Sequence, residues 1–225
     1  EAGRRSAAGM QGDAKWSSRG QKRHAAVWMV QKIFGQWDAL LAEEAVPADY
    51  PYLVGLHTYT RGSAHVGVGD LDGAKRQLQT LEKMLQDPEI DSARIGVAPV
   101  SAVLSLAYAG LDGEIKEAEG DLDGAIAAYE AAVELEDTFR YIEPPEWAQP
   151  MRHYLGAALL KADRAKDAEA VYRRDLSWNQ NNGWSLFGLS QSLEAQGRTA
   201  EAKEALKKYQ TVWRGADVML ARSRL

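Results

Sequence analysis

Five short stretches recur along this chain at a spacing that leaves few folds open. They are Gly35-Gln-Trp-Asp-Ala-Leu40, Gly69-Asp-Leu-Asp-Gly-Ala74, Gly120-Asp-Leu-Asp-Gly-Ala125, Asp163-Arg-Ala-Lys-Asp-Ala168 and Gly197-Arg-Thr-Ala-Glu-Ala202. Each opens with a turn residue and carries a small or apolar residue five positions later. Their starts are separated by 34, 51, 43 and 34 residues, which is 34, 34+17, 34+9 and 34. A fixed period of this length marks a repeat architecture, in which one supersecondary unit stacks on the next.

Each stretch has the chemistry of a turn between two antiparallel helices. Glycine ends a helix because it takes the left-handed conformation without a Cβ penalty. Asp70, Asp121 and Thr199 stand where the second helix wants an N-cap. Ala74, Ala125, Ala168 and Ala202 fall where paired helices approach most closely, and Gly62, Gly113 and Gly156, seven residues before their turns, take the facing position. Tyr129 and Tyr172 follow their alanines by four residues and fill a large-aromatic slot. These residues resemble the tetratricopeptide family, closely in the second to fifth hairpins and less so in the first, where Trp28 and Leu40 stand in for the small residues. The resemblance implies an all-α, right-handed α-solenoid of about five hairpins, centred near 35, 69, 120, 163 and 197.

The blocks between the turns read as helix. Leu78, Leu81 and Leu85 recur at helical spacing, as do Ile126, Tyr129 and Val133. No segment keeps the two-residue alternation of a strand. The helices expected are 5–18, 20–34, 37–43, 51–68, 71–86, 91–118, 122–136, 147–162, 165–177, 182–196 and 199–221. Two insertions account for the longer intervals. One starts at Asp87-Pro88; the other holds Pro144, Pro145 and Pro150, which forbid helix. Neither has linker composition, so residues 1–225 are expected to form a single domain.

The region from Tyr141 through His153, Val171 and Trp184, with Phe34–Leu40 upstream, is also similar to the C-terminal half of a group of longer bacterial tetratricopeptide proteins. That group supplies no activity to carry over. The start at Glu1, without methionine or signal pattern, reads as a processed chain or a piece of a longer one.

Composition narrows the chemistry. The chain has no cysteine, so disulfides and thiolate sites are excluded. A formal net charge of −5 gives no basic field for nucleic acid. No apolar run is long enough for a membrane span. Nothing selects a compartment, cytoplasmic or exported, for a soluble chain. Charge is unevenly placed: residues 1–35 carry seven Lys/Arg and two acids, residues 110–146 two and twelve, residues 202–225 six and two. A basic start, an acidic middle and a basic end suit docking or self-association, as well as ordinary solvated helix faces.

Catalytic and metal motifs are missing. His57 and His65 lie two helical turns apart, about 12 Å, too far for one ion on a straight helix. The sequence implies no cofactor, no catalytic residue and no metal ligand. Glu143 and Glu146 beside Trp147 and His153 could do acid–base work, but equally cap a helix. The leading reading is a non-catalytic scaffold that binds a peptide or partner protein on a concave face lined by the first helix of each pair. Its candidate contacts are Tyr59, Glu114, His153, Trp184 and Phe187, with Tyr141, Glu143 and Trp147 at the insertion. A second reading is self-assembly into an oligomer or filament, because Trp213, Val218, Met219 and Leu220 form an apolar end without a polar capping helix. A metal-dependent enzyme is the third.

Overall fold

The computed structural model describes residues 16–143 and 145–224. Among them it contains eleven helices: α1 (Ser18–Ile33), α2 (Trp37–Leu41), α3 (Pro51–Gly67), α4 (Leu71–Leu85), α5 (Pro88–Ser92), α6 (Val100–Glu119), α7 (Leu122–Asp137), α8 (Met151–Lys161), α9 (Ala165–Trp178), α10 (Gly183–Ala195) and α11 (Thr199–Val212). One small hairpin, β1 (Arg94–Ile95) and β2 (Ala98–Pro99), is the sole sheet among the described residues. The fold is an all-α helical-repeat solenoid. Helices α3/α4, α6/α7, α8/α9 and α10/α11 pair as hairpins, each stacking on the next, and α1 with the short α2 packs on α3.

The turns work as their residues suggest. Gly69, Gly120 and Gly197 sit at φ +81°, +87° and +73°, and Asp163 takes the same left-handed conformation at +58°. Asp70 and Asp121 accept hydrogen bonds from the backbone N–H of Gly73 (2.8 Å) and Gly124 (2.9 Å), capping α4 and α7. Thr199 differs from expectation: Arg198 occupies the cap and Thr199 is the first helical residue.

The close-contact positions explain the 34-residue spacing. Ala74, Ala125 and Ala168 are wholly buried. A Cβ added at Gly113 would lie 2.4 Å from the Tyr129 ring, and one at Gly156 would lie 2.4 Å from the Tyr172 ring. Small residues on the first helices thus make room for the two buried tyrosines of the second, and the core runs along this seam.

Three expected helices have other bounds. The expected 91–118 helix is three elements. Asp87 caps the short α5, Gly96 at φ +63° turns β1 into β2, and Pro99 precedes α6. A glycine opening a two-residue turn favours a hairpin over continued helix. The 147–162 helix begins only at Met151, after Pro150. The 199–221 helix stops at Val212, and the chain reverses through Gly215 at φ +87°. The expected 5–18 helix lies outside the described residues, apart from its last residues.

Candidate functional site

Two carboxylates one turn apart on α6 organise the first-helix face. Glu114 is 5% exposed and lies 3.0 Å from the ammonium of Lys32 on α1. From α3, Tyr59 Oη and Ser63 Oγ donate to the same oxygen of Glu114 at 3.4 and 3.2 Å. Lys32 also donates to Tyr154 Oη on α8, which in turn donates to Gln149 Oε1 at 2.8 Å. Burial by itself would lower the Lys32 pKa, but Glu114 and Tyr154 more than offset it and hold it above the ordinary lysine value.

Glu117 follows three residues later and is likewise buried. Tyr129 Oη donates to it at 3.1 Å, and the Lys161 ammonium lies 3.5 Å away. Its remaining partners are Arg224, in a direct ion pair, and Arg222 at 3.8 Å. A cavity of about 350 Å³ opens here, lined by both carboxylates and by Lys32, Lys161, Arg222 and Arg224.

These arginines belong to a segment, 213–224, that folds back over α10, α8 and α6. Trp213 sets its start: the indole packs edge-on against Trp184 at 5.2 Å and donates to the Val218 carbonyl at 2.7 Å. Leu220 packs with Leu186 and Tyr209. Gln191 donates to the Ala221 carbonyl at 3.2 Å. Ser223 is fully buried; its hydroxyl donates to the His153 carbonyl at 2.8 Å and shares a 2.6 Å hydrogen bond with Tyr172 Oη. The Arg224 guanidinium lies 4.9 Å over the Tyr154 ring. The apolar stretch around Trp213 and Leu220 is therefore packed against its own chain, while Met219 remains exposed.

The structure brings some of the candidate residues together and separates others. Tyr59 and Glu114 join the Lys32 cluster, and Trp147 is buried against Tyr59 at 5.2 Å. His153 is 1% exposed, with Nε2 3.1 Å from Asn182 and 3.6 Å from Asp175, and it meets segment 213–224 through its carbonyl. Trp184 and Phe187 are half-buried beneath Trp213 and Tyr209. Tyr141 and Glu143 hydrogen-bond to each other on the surface, outside this cluster. Sequence reasoning missed Lys32, Glu117, Tyr154, Arg222 and Arg224. Its one usable signal was the charge asymmetry, since the basic start and end both settle on the acidic middle through Lys22–Glu146 (2.7 Å), Lys32–Glu114 and Arg224–Glu117.

Beside the cluster, Tyr141 lines a second cavity of about 540 Å³ together with Glu136, Arg152 and Trp178. Burial pushes Glu136 up to about 7, against the Met151 N–H that it accepts and the charge of Arg152. His57 packs on Trp28 at 5.2 Å, whereas His65 lies 2.9 Å from Asp70, so the two histidines serve separate surroundings. Among the described residues no three His, Asp or Glu side chains gather as a metal ion requires. No helix among them is long and apolar enough to cross a membrane.

Residues 113–139, running from the end of α6 through α7, match the family model of the tetratricopeptide repeat. The matched stretch starts at Gly113, the residue that admits the Tyr129 ring, and includes Glu114 and Glu117. The search of curated proteins finds no match.

Proposed function

We propose that this protein is a non-catalytic interaction scaffold that binds an extended segment of a partner protein along the face built from α3, α6, α8 and α10. Helical repeats of this kind serve as protein-binding surfaces, a use that requires no reactive groups. The observation that carries the reading is that the face already holds a stretch of the chain's own polypeptide, outside any helix. Residues 220–224 engage it through a backbone carbonyl, a buried hydroxyl, two guanidinium groups and an aliphatic anchor. Such a mix of backbone and side-chain contacts is how a peptide groove reads its ligand.

Selection of displayed random peptides on the immobilised full chain tests the proposal. Enriched sequences should bind the folded protein and lose binding on Glu117→Lys, a change at the centre of the face. If nothing is enriched on protein that melts cooperatively, or if enriched peptides ignore the Glu117 substitution, the scaffold reading at this face is wrong.

A further inference from the structure

Once segment 213–224 is set aside, the chemistry of the face is specific. Glu114 keeps its own cation in Lys32, at 3.0 Å and buried with it. Glu117 does not. Its remaining neighbours would be the Tyr129 hydroxyl and the half-exposed Lys161, whereas Arg224 now supplies a direct pair and Arg222 a second positive charge. With only a half-exposed ammonium 3.5 Å away, Glu117 is incompletely paired by the hairpins, and a guanidinium from outside them adds a direct charge-assisted pair. The Tyr172 hydroxyl and the His153 carbonyl lie between this carboxylate and Gln191, where they take a small hydroxyl and no larger side chain, since Ser223 is fully buried there. Gln191 offers an amide N–H to a backbone carbonyl, and Leu186 with Tyr209 offers an apolar seat.

We infer that residues 220–224, Leu-Ala-Arg-Ser-Arg, are a resident ligand of this face, and that the partner segment it takes is a basic one of the same pattern, an aliphatic residue, one further residue and then Arg-Ser-Arg. The inference rests on the scaffold reading and deepens it by naming the ligand chemistry and the competitor. The resident segment is joined to α11 by seven residues, 213–219. A tether this short holds it at an effective concentration in the millimolar range. A partner therefore gains access only when it is locally abundant, when it adds contacts beyond the pentapeptide, or when the resident segment is weakened. The face is closed by default and opens by exchange.

The experiment uses the full chain and a fluorescent peptide of sequence Val-Met-Leu-Ala-Arg-Ser-Arg-Leu, read by anisotropy. Arg224→Glu places a carboxylate against Glu117 and should expel the resident segment; the milder Arg224→Gln is the second variant, and thermal melts establish that both are folded. Expected is weak binding to the unaltered protein and binding at least about tenfold tighter to either variant, the factor by which the open fraction grows. That gain should vanish when Glu117→Gln is added. A peptide with Glu in place of both arginines is the control. Binding of the acidic peptide alone overturns the inference and leaves the scaffold reading standing, whereas binding of neither peptide to a folded variant counts against both. Size-exclusion chromatography closes the remaining route. A dimer that Arg224→Glu converts to monomer would mean that the segment seats in a second copy, and the inference fails.

Discussion

Lys32 and Glu114 face each other at 3.0 Å with 2% and 5% of their side chains exposed, one from the first helix and one from the sixth. A charge so deeply buried is tolerable only with its partner in place. This pair, with Tyr59, Ser63 and Tyr154 hydrogen-bonded around it, ties α1, α3, α6 and α8 together.

Lys32→Met should therefore cost about 3–5 kcal/mol, the penalty of leaving a buried carboxylate without its cation. Replacing both residues, Lys32→Met with Glu114→Leu, should recover most of that loss. Urea denaturation of the two variants measures it. A double variant as unstable as the single one would mean that the pair itself, and not the orphaned charge, holds the helices.

Gly113→Ala and Gly156→Ala should destabilise the fold by about 1–3 kcal/mol each, as overpacking does in a tight core. Alanine is the better helix former by about 1 kcal/mol, so a helix free of close contacts would gain from the same change. The sign of the change in melting temperature decides. Stabilisation would show that the Tyr129 and Tyr172 rings can move aside.

Glu136 makes stability depend on pH in a definite direction. Its folded pKa of about 7 stands above its ordinary 4.5, so the folded state holds a proton that the unfolded chain has released. That contribution is complete below about pH 4.5 and is lost as pH rises through 7. Relative to Glu136→Gln, the unaltered protein should lose about 3 kcal/mol across this window, at about 1.4 kcal/mol for each pKa unit. Denaturation midpoints of the two proteins at several pH values give the difference curve. Taking the difference removes His57, whose pKa burial lowers and which acts with the opposite sign. A flat curve would place Glu136 in water.

Trp184→Ala should cost about 2 kcal/mol, below the roughly 3–5 kcal/mol of a fully buried indole, because the residue is only partly buried. Trp213 loses its edge-on neighbour in the same variant. Trypsin cleavage after Arg214 should accordingly quicken by several-fold as segment 213–224 loosens, whereas a substitution without effect on the segment would leave it unchanged.

The hairpins were legible because their determinants are local. A turn glycine, a capping aspartate and an alanine five residues on all act within one 34-residue unit, and Ala74, Ala125 and Ala168 are buried accordingly. The hairpin at Gly96 was less visible, since its two-residue strands are too short to show alternation. The 199–221 helix ran past its end because one glycine, Gly215, outweighs the helical residues around it. Within the buried Lys32 cluster, Tyr59 and Glu114 are the two members that repeat register had singled out. Lys32 and Arg224 did not, because each finds its carboxylate across a long stretch of chain, 107 residues for Arg224 and Glu117, and no period encodes such a meeting.

A stack of hairpins ordinarily stores its stability between nearest neighbours, so its ends fray and its middle unfolds piecemeal. Segment 213–224 breaks that one-dimensional rule. By touching α10, α9, α8 and α6 at once, it links the last three hairpins in a single cooperative unit. It can do so only where all three have formed. If the segment gives way to a partner as proposed, the C-terminal half of the array loses that link at the same moment, and the partner seated there would act as the brace in its place.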